Sequence, residues 1–241
     1  MLTTEKDYQI LAKRFVKAAL GRDHLIKKDV SIPVEKLGSR YGGWVVNKAL
    51  LRYTAQPIVF SFGIGDDITF DLEIIRRYGA YVFAFDPTPK SLQWIAKQRV
   101  PSSMTVFPVG LSDFDGEQDF GPPSNPDWDS FSIFRGVDAV PCKVAKLSTL
   151  IGQYAAGEID VLKMDIEGSE YPAIADLCRS EIRPKQLLIE FHHNSDLGIE
   201  LQRTRDAVAA LRASGYLVFD ISPWGREFSF LHSSALHYAW G

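Results

Sequence analysis

Val161-Leu162-Lys163-Met164-Asp165-Ile166-Glu167-Gly168-Ser169-Glu170 decides the reading of this chain. An apolar strand approach runs into two carboxylates, a glycine and a serine, and then a helix start. In open α/β sheets ligands sit where strands end, because backbone amides and side chains converge there on one crevice. An earlier stretch has the same build: Ile58-Val59-Phe60-Ser61-Phe62-Gly63-Ile64-Gly65-Asp66-Asp67, followed by Phe83-Ala84-Phe85-Asp86-Pro87. A glycine turn and two acidic strand ends predict a nucleoside-type ligand beside a reaction site.

Asp165-Ile166-Glu167-Gly168-Ser169-Glu170, with Lys163-Met164 before it and Leu188-Ile189-Glu190-Phe191-His192 after it, resembles the FkbM-type S-adenosylmethionine (SAM) methyltransferases. Ser61-Phe62-Gly63-Ile64-Gly65 and Phe85-Asp86-Pro87-Thr88 are similar to a sister group, the methyltransferase-like 24 type. The matches run from about Tyr41 onward. The hexapeptide is the specific part, and the glycine loop alone is weak. The resemblance implies a class I, Rossmann-like methyltransferase fold with a seven-stranded, mostly parallel sheet and helices on both faces. It also implies SAM as methyl donor and a hydroxyl acceptor on a sugar, glycan or natural product, without identifying that acceptor. On this pattern Ser61, Gly63, Gly65, Asp86, Pro87, Leu111, Ser112 and Asp165 are the expected cofactor-binding residues.

The glycine turn argues the same way on its own chemistry. A dinucleotide fingerprint wants a third glycine three residues after Gly65, and Ile68 stands there. Asp66 and Asp67 would repel a pyrophosphate and suit the sulfonium and ammonium of SAM. Asp86, at the second strand's end, is placed to accept both ribose hydroxyls, which nicotinamide cofactors also offer. Leu111 and Ser112 would flank the adenine. A nicotinamide-dependent oxidoreductase and a non-catalytic SAM-binding protein are the rival readings. Asp165, Glu190 and His192 are the candidate catalytic residues. His192 is a candidate general base, and Asp165 with Glu190 or His192 could instead hold a magnesium ion. No metal is favoured. Glu167 and Glu170 share the turn, where helix capping by Ser169 and Glu170 is the plainer role.

Around these motifs the patterns give strands over 57–61, 80–85, 105–109, 160–164, 186–191 and 216–220. The continuous apolar run at 80–85 suits a parallel sheet covered on both faces. A helix is expected from Asp67 through Tyr78 with Gly79 beyond its end, and Thr88-Pro89 supplies a cap and a first-turn proline. Leu201, Thr204, Val208 and Leu211 mark another helix. Residues 228–231 and 235–240 are expected as a terminal antiparallel pair. Residues 4–20 form an amphipathic helix with Tyr8, Leu11, Phe15 and Ala18 on one face and a Thr4–Asp7 capping box. It is expected to pack against the core, as a cap near the crevice or as a dimer contact. Residues 1–40 are taken as a helical extension of a 41–241 domain. Tyr41-Gly42-Gly43-Trp44 is either a ligand-touching turn or a simple entry into a strand. Residues 114–140, rich in Gly and Pro and carrying Trp128, Phe131 and Phe134, are expected to be a substrate-side loop.

Composition sets the outer bounds. A length of 241 residues fits one domain with a small extension. A formal net charge of −3, with no basic run, argues against a nucleic-acid partner. Cys142 and Cys178 have neither disulfide-framework nor zinc spacing. No apolar run approaches the roughly 18 residues that would span a bilayer, and the first residues lack a signal-peptide plan. A cytoplasmic location is expected, with a small-molecule or glycan acceptor and the oligomeric state left open.

Overall fold

The computed structural model describes residues 5–121, 139–154, 157–193 and 197–240. The chain opens with α1 (Glu5–Ala19), β1 (Val34–Leu37), β2 (Trp44–Asn47) and α2 (Lys48–Tyr53). It continues through β3 (Ile58–Phe62), α3 (Thr69–Tyr78), β4 (Tyr81–Phe85), α4 (Pro89–Ile95) and β5 (Met104–Phe107). Next come β6 (Gly110–Leu111), β7 (Gly116–Phe120), β8 (Val140–Ala145), α5 (Leu147–Tyr154), β9 (Val161–Met164) and α6 (Glu170–Arg179). The last elements are β10 (Gln186–Glu190), α7 (Leu201–Ala213), β11 (Tyr216–Ile221), β12 (Glu227–His232) and a 3-10 turn, Ser233–Tyr238.

Seven strands form one sheet in the order β11-β12-β10-β9-β3-β4-β5. From β10 to β5 all neighbours are parallel, and β12 runs antiparallel between β10 and β11. This is the class I methyltransferase arrangement. Side chains alternate along each strand, so successive residues feed opposite core layers. Phe60, Phe62, Leu162, Met164, Leu187 and Ile189 pack with α5, α6 and α7 on one face. Val59, Val82, Ala84, Val161 and Leu188 pack with α3, α4, β1 and β2 on the other. Burial on both faces explains why these strands read as unbroken apolar runs.

The central strands and α3, α4 and α7 fall where the patterns place them, within a residue or two. Gly79 ends α3 in the left-handed conformation at φ 63°, its N–H donating to the Ile75 carbonyl. The terminal antiparallel pair is corrected. Both edges of β12 are taken, by β10 and β11, so 233–238 cannot pair with it and winds into a 3-10 turn. Gly110 and Leu111 leave the main sheet for a second, three-stranded one of order β6-β8-β7. Of the expected 114–140 loop, β7 and the start of β8 are described. Trp128, Phe131 and Phe134 lie outside the described residues, as does Thr4 of the capping box.

The helix α1 is present but turned. Ile10, Arg14 and Ala18 are half-buried, while Tyr8, Leu11 and Phe15 of the expected core stripe are exposed. An arginine explains the rotation. Arg14 donates to Asp23 at 3.0 and 3.3 Å and to the Pro223 carbonyl at 3.3 Å, and these bonds need its face inward. Before residue 41 the chain also supplies β1, which pairs with β2 across the expected domain boundary.

Candidate active site

β3 and β9 are neighbours at the sheet's centre, and the chain leaves them toward opposite edges. Such a reversal opens a crevice beyond the strands' C-terminal ends. Gly63 sits there at φ 76°, donating to the Phe85 carbonyl at 2.9 Å. A Cβ at this position would overlap the Asp165 backbone carbonyl, so the two turns touch. Asp165 N–H donates to the Phe62 carbonyl at 3.1 Å. Beneath the turn, buried Lys163 donates from Nζ to the Gly63 carbonyl at 2.8 Å. Lys163 has no assigned role in the sequence reading, although a lysine inside an apolar strand was the available signal.

The remaining turn residues divide by side-chain direction. The buried Asp86 carboxylate accepts from Gly65 N at 3.1 Å, from Thr88 N at 2.9 Å and from the Thr88 hydroxyl at 2.6 Å. It therefore ties the glycine turn to the start of α4, with Pro87 half-buried beside Gly110. Leu111 and Ser112 are buried, and Ser112 N–H donates to the Ala145 carbonyl at 3.0 Å. Ser61 points away from the crevice. It is fully buried beside the wholly buried Asp71, whose carboxylate its hydroxyl faces. Burial pushes the Asp71 carboxyl up, an effect the Lys163 charge only partly offsets. Asp67 caps locally, accepting from Thr69 N at 2.8 Å and from Ser39 Oγ at 2.7 Å.

The β9–α6 and β10 ends come together as adjacent parallel strands. Glu167 at φ 46° and Gly168 at φ 101° fold the first of these turns back on itself. For a non-glycine residue the left-handed conformation is strained, and such strain collects at functional sites. His192 Nε2 lies 3.4 Å from Glu167 Oε2, 3.8 Å from Asp165 Oδ1 and 4.0 Å from Glu190 Oε1. Its Nδ1 lies 3.2 Å from Oε1 of Glu170, which is wholly buried and also takes the His192 backbone N–H. Ser169 makes no capping bond. Glu170 is therefore a brace for the histidine more than a helix cap.

Four carboxylates around one imidazole govern its charge. Burial alone would lower the His192 pKa, but the hydrogen bond and charge of Glu170, with Glu167 and Glu190, push it up to about 10. Glu190 is raised well above the usual carboxylate range by burial and by the facing Asp165 charge. Donor atoms of Asp165, Glu190 and His192 all lie within 4.8 Å of one another, a spacing a single divalent cation can bridge. Tyr41, largely exposed, stands within the electrostatic reach of the same group. Desolvation and the charges of Asp165 and Glu190 hold its phenol above the ordinary value.

A second titratable group, Asp23, His24 and His193, adjoins the first through the neighbouring residues His192 and His193. Here the Arg14 guanidinium occupies the carboxylate, and His24 Nε2 lies 2.8 Å from the Gly225 carbonyl. Burial, with the nearby His24 and Arg226, drops the His193 pKa to about 4. A neutral histidine pair beside a paired arginine is a strut for the N-terminal segment.

No curated protein matches this chain. Among solved structures it is similar to a fibrillarin pre-rRNA processing protein from Methanococcus jannaschii, at 12% identity and a TM-score of 0.46, covering 87% of this chain and 86% of that one. A precorrin-6y C5,15-methyltransferase from Geobacter metallireducens matches at 13% identity and TM-score 0.43, over 77% and 86% of the two chains. Aeropyrum pernix fibrillarin, solved with natively bound SAM, matches at 10% identity and TM-score 0.41, over 86% and 84%. The model of the methyltransferase FkbM domain family matches residues 55–218, more than half of the sequence. With its strand order and its motif turns at the central crevice, the chain belongs to the FkbM-domain methyltransferases.

Proposed function

We propose that this chain transfers a methyl group from SAM to a hydroxyl of a sugar, glycan or natural product. The observation that carries this reading is the meeting of Asp165, Glu190 and His192 at the strand ends beside the glycine turn. A hydroxyl attacks poorly unless its proton is accepted as the bond forms. A cluster able to hold and release a proton is therefore what such an acceptor needs.

SAM supplies an activated methyl on a sulfonium, attacked in line by the acceptor oxygen. Asp86, with the acceptor capacity its bonds to Gly65 and Thr88 leave, would hold the ribose hydroxyls, and the Gly63–Gly65 backbone would lie against the cofactor's amino-acid end. Asp165 and Glu167 face the bound positive charge and so pull less on His192, whose imidazolium then gives up its proton. The neutral ring accepts the acceptor's proton, braced by Glu170. Glu190, beside His192 at the end of β10, would orient the acceptor oxygen by a hydrogen bond. A metal-assisted route is the second reading, favoured by the spacing of the same three donors. Asp165, Glu190 and His192 would hold the ion, and its charge would acidify the hydroxyl.

The test is transfer of a deuterated methyl from labelled SAM into sugar, glycan and natural-product pools, with mass-shifted products located by fragmentation. Label on oxygen supports the proposal, and label only on nitrogen, or none, refutes it. His192→Asn should lower the rate by roughly 10²–10⁴-fold. Abolition by chelator with rescue by magnesium would select the metal route.

A further inference from the structure

The helix α1 turns its apolar side away from the protein. Tyr8, Leu11, Phe15 and Val16 are exposed, Phe15 by 64%, and Leu20 continues the surface just past the helix. Lys6, Lys13 and Lys17 form an exposed row along the same helix, bordering that surface beyond Val16. Residues 5–28 hold seven Lys and Arg against three Asp and Glu, in a chain whose net charge is −3. The basic charge is thus gathered where the apolar side chains stand out.

The position of this surface is as informative as its composition. Trp224, 57% exposed, stands in the turn between β11 and β12. Both β10 and β11 run antiparallel to β12, so that turn lies at the same edge of the sheet as the ends of β9 and β10. Arg14 fastens α1 to Pro223. The His24 ring reaches the Gly225 carbonyl and packs edge-on against His193 at 5.4 Å, one residue from His192. The apolar helix face, the exposed tryptophan and the catalytic cluster therefore share one rim.

We propose that α1 and Trp224 dock this protein on an anionic lipid surface, holding the crevice rim against it. An amphipathic helix with exposed Phe and Leu and a lysine-bearing polar side lies in the headgroup plane, with its apolar face at the acyl boundary. The lysines meet lipid phosphates, and an exposed tryptophan suits the same interface. A second copy of the chain fits less well. It would cover the apolar side chains but leave the lysine row without an anionic partner. Docking this rim would present the site to acceptors carried on lipid, an extension that rests on the methyl-transfer reading. The docking itself stands without it.

The experiment is co-sedimentation of the full chain with vesicles of phosphatidylcholine alone and of phosphatidylcholine mixed with phosphatidylglycerol. Two variants accompany it, Leu11→Ser/Phe15→Ser/Val16→Ser and Lys13→Glu/Lys17→Glu. The unmutated chain should bind the mixed vesicles, bind neutral ones weakly, and dissociate as salt rises. Each variant should lose about tenfold or more in affinity, with thermal stability and the heat of SAM binding unchanged. Absence of binding to mixed vesicles overturns the proposal, as does binding that neither variant weakens. A dimer in light scattering that the serine variant dissociates without lipid would assign the face to a second copy and overturn it also. Loss of SAM-binding heat in the unmutated chain would count against the methyl-transfer reading alone.

Discussion

Glu170 Oε1 accepts both the backbone N–H of His192, at 2.9 Å, and its ring Nδ1–H, at 3.2 Å, while Oε2 takes the N–H of Gly168 at 2.7 Å. One buried carboxylate thus joins the end of β10 to the β9–α6 turn and keeps the imidazole charged. Glu170→Gln preserves the shape and removes the charge, so the His192 pKa should fall from about 10 toward its ordinary 6.5. Glu170→Ala removes the carboxylate at Nδ1 and the acceptor of two buried backbone N–H groups, and should cost about 3–5 kcal/mol of stability. Ring titration by NMR checks the first claim. An unmoved titration in the Gln variant would assign the effect to Glu167 and Glu190.

The two neighbouring histidines should act on stability in opposite directions. His192 has a folded pKa of about 10 against an ordinary 6.5. Its contribution is fully present below about pH 6.5 and is lost as pH rises toward 10. His193, lowered to about 4 in the fold, contributes above pH 6.5, and that contribution is lost as pH falls toward 4. His192→Asn should therefore flatten the alkaline side of a stability–pH curve, and His193→Gln the acidic side. Urea denaturation across a pH series measures both. A His192→Asn curve that still falls with the unmutated slope above pH 6.5 would contradict the assignment.

Gly63 and Gly65 separate contact from conformation. Both have positive φ, but a Cβ at 63 meets the Asp165 backbone, whereas one at 65 meets open space. Gly65→Ala should cost about 1 kcal/mol, the penalty of left-handed backbone. Gly63→Ala adds an overlap that only backbone movement relieves, bringing the cost to roughly 2–4 kcal/mol. Thermal melts compare the two. Equal losses would mean that the Gly63–Asp165 approach is looser than described.

Asp86 grips the glycine turn through Gly65 and the start of α4 through Thr88. Calorimetry should show SAM and its demethylated product binding, and NAD giving no heat. Asp86→Ala should weaken SAM by roughly 1.5–3 kcal/mol, the scale of hydrogen bonds to a charged group. Heat with NAD and none with SAM would restore the oxidoreductase reading.

The central strands were legible because burial on both faces writes itself as unbroken apolar runs. That Asp165, Glu190 and His192 come together was legible because their strands read as neighbours with polar ends. The job of Glu170 was not. A glutamate in the first turn of a helix has the pattern of a cap, and only the fold brings His192 over it. The α1 face was misread for a related reason. Periodicity shows which residues share a side, but the Arg14–Asp23 pair, nine residues apart, decided which side turned inward. Ser61 follows the strand's alternation, which sends its hydroxyl beneath the turn. The terminal pair failed because strand propensity carries no count of free sheet edges.

The order of proton movements gives the final prediction. In the free protein His192 is held at about 10 by the carboxylates around it. Positive charge bound beside Asp165 and Glu167 should relax that hold, so the imidazole titrates lower once cofactor is in place. The pH profile of kcat/KM reports the free enzyme, and that of kcat the loaded complex. With SAM as the varied substrate, the acidic limb of kcat/KM should extend toward pH 10. The limb of kcat should lie at least about one unit lower. His192→Asn should remove the limb from both profiles while SAM still binds. Calorimetry in buffers of different ionisation enthalpy should also detect proton release on SAM binding at about pH 9. Coincident limbs with no proton release would show that His192 stays charged throughout, and the proton acceptor would then be Asp165 or a metal-bound hydroxyl.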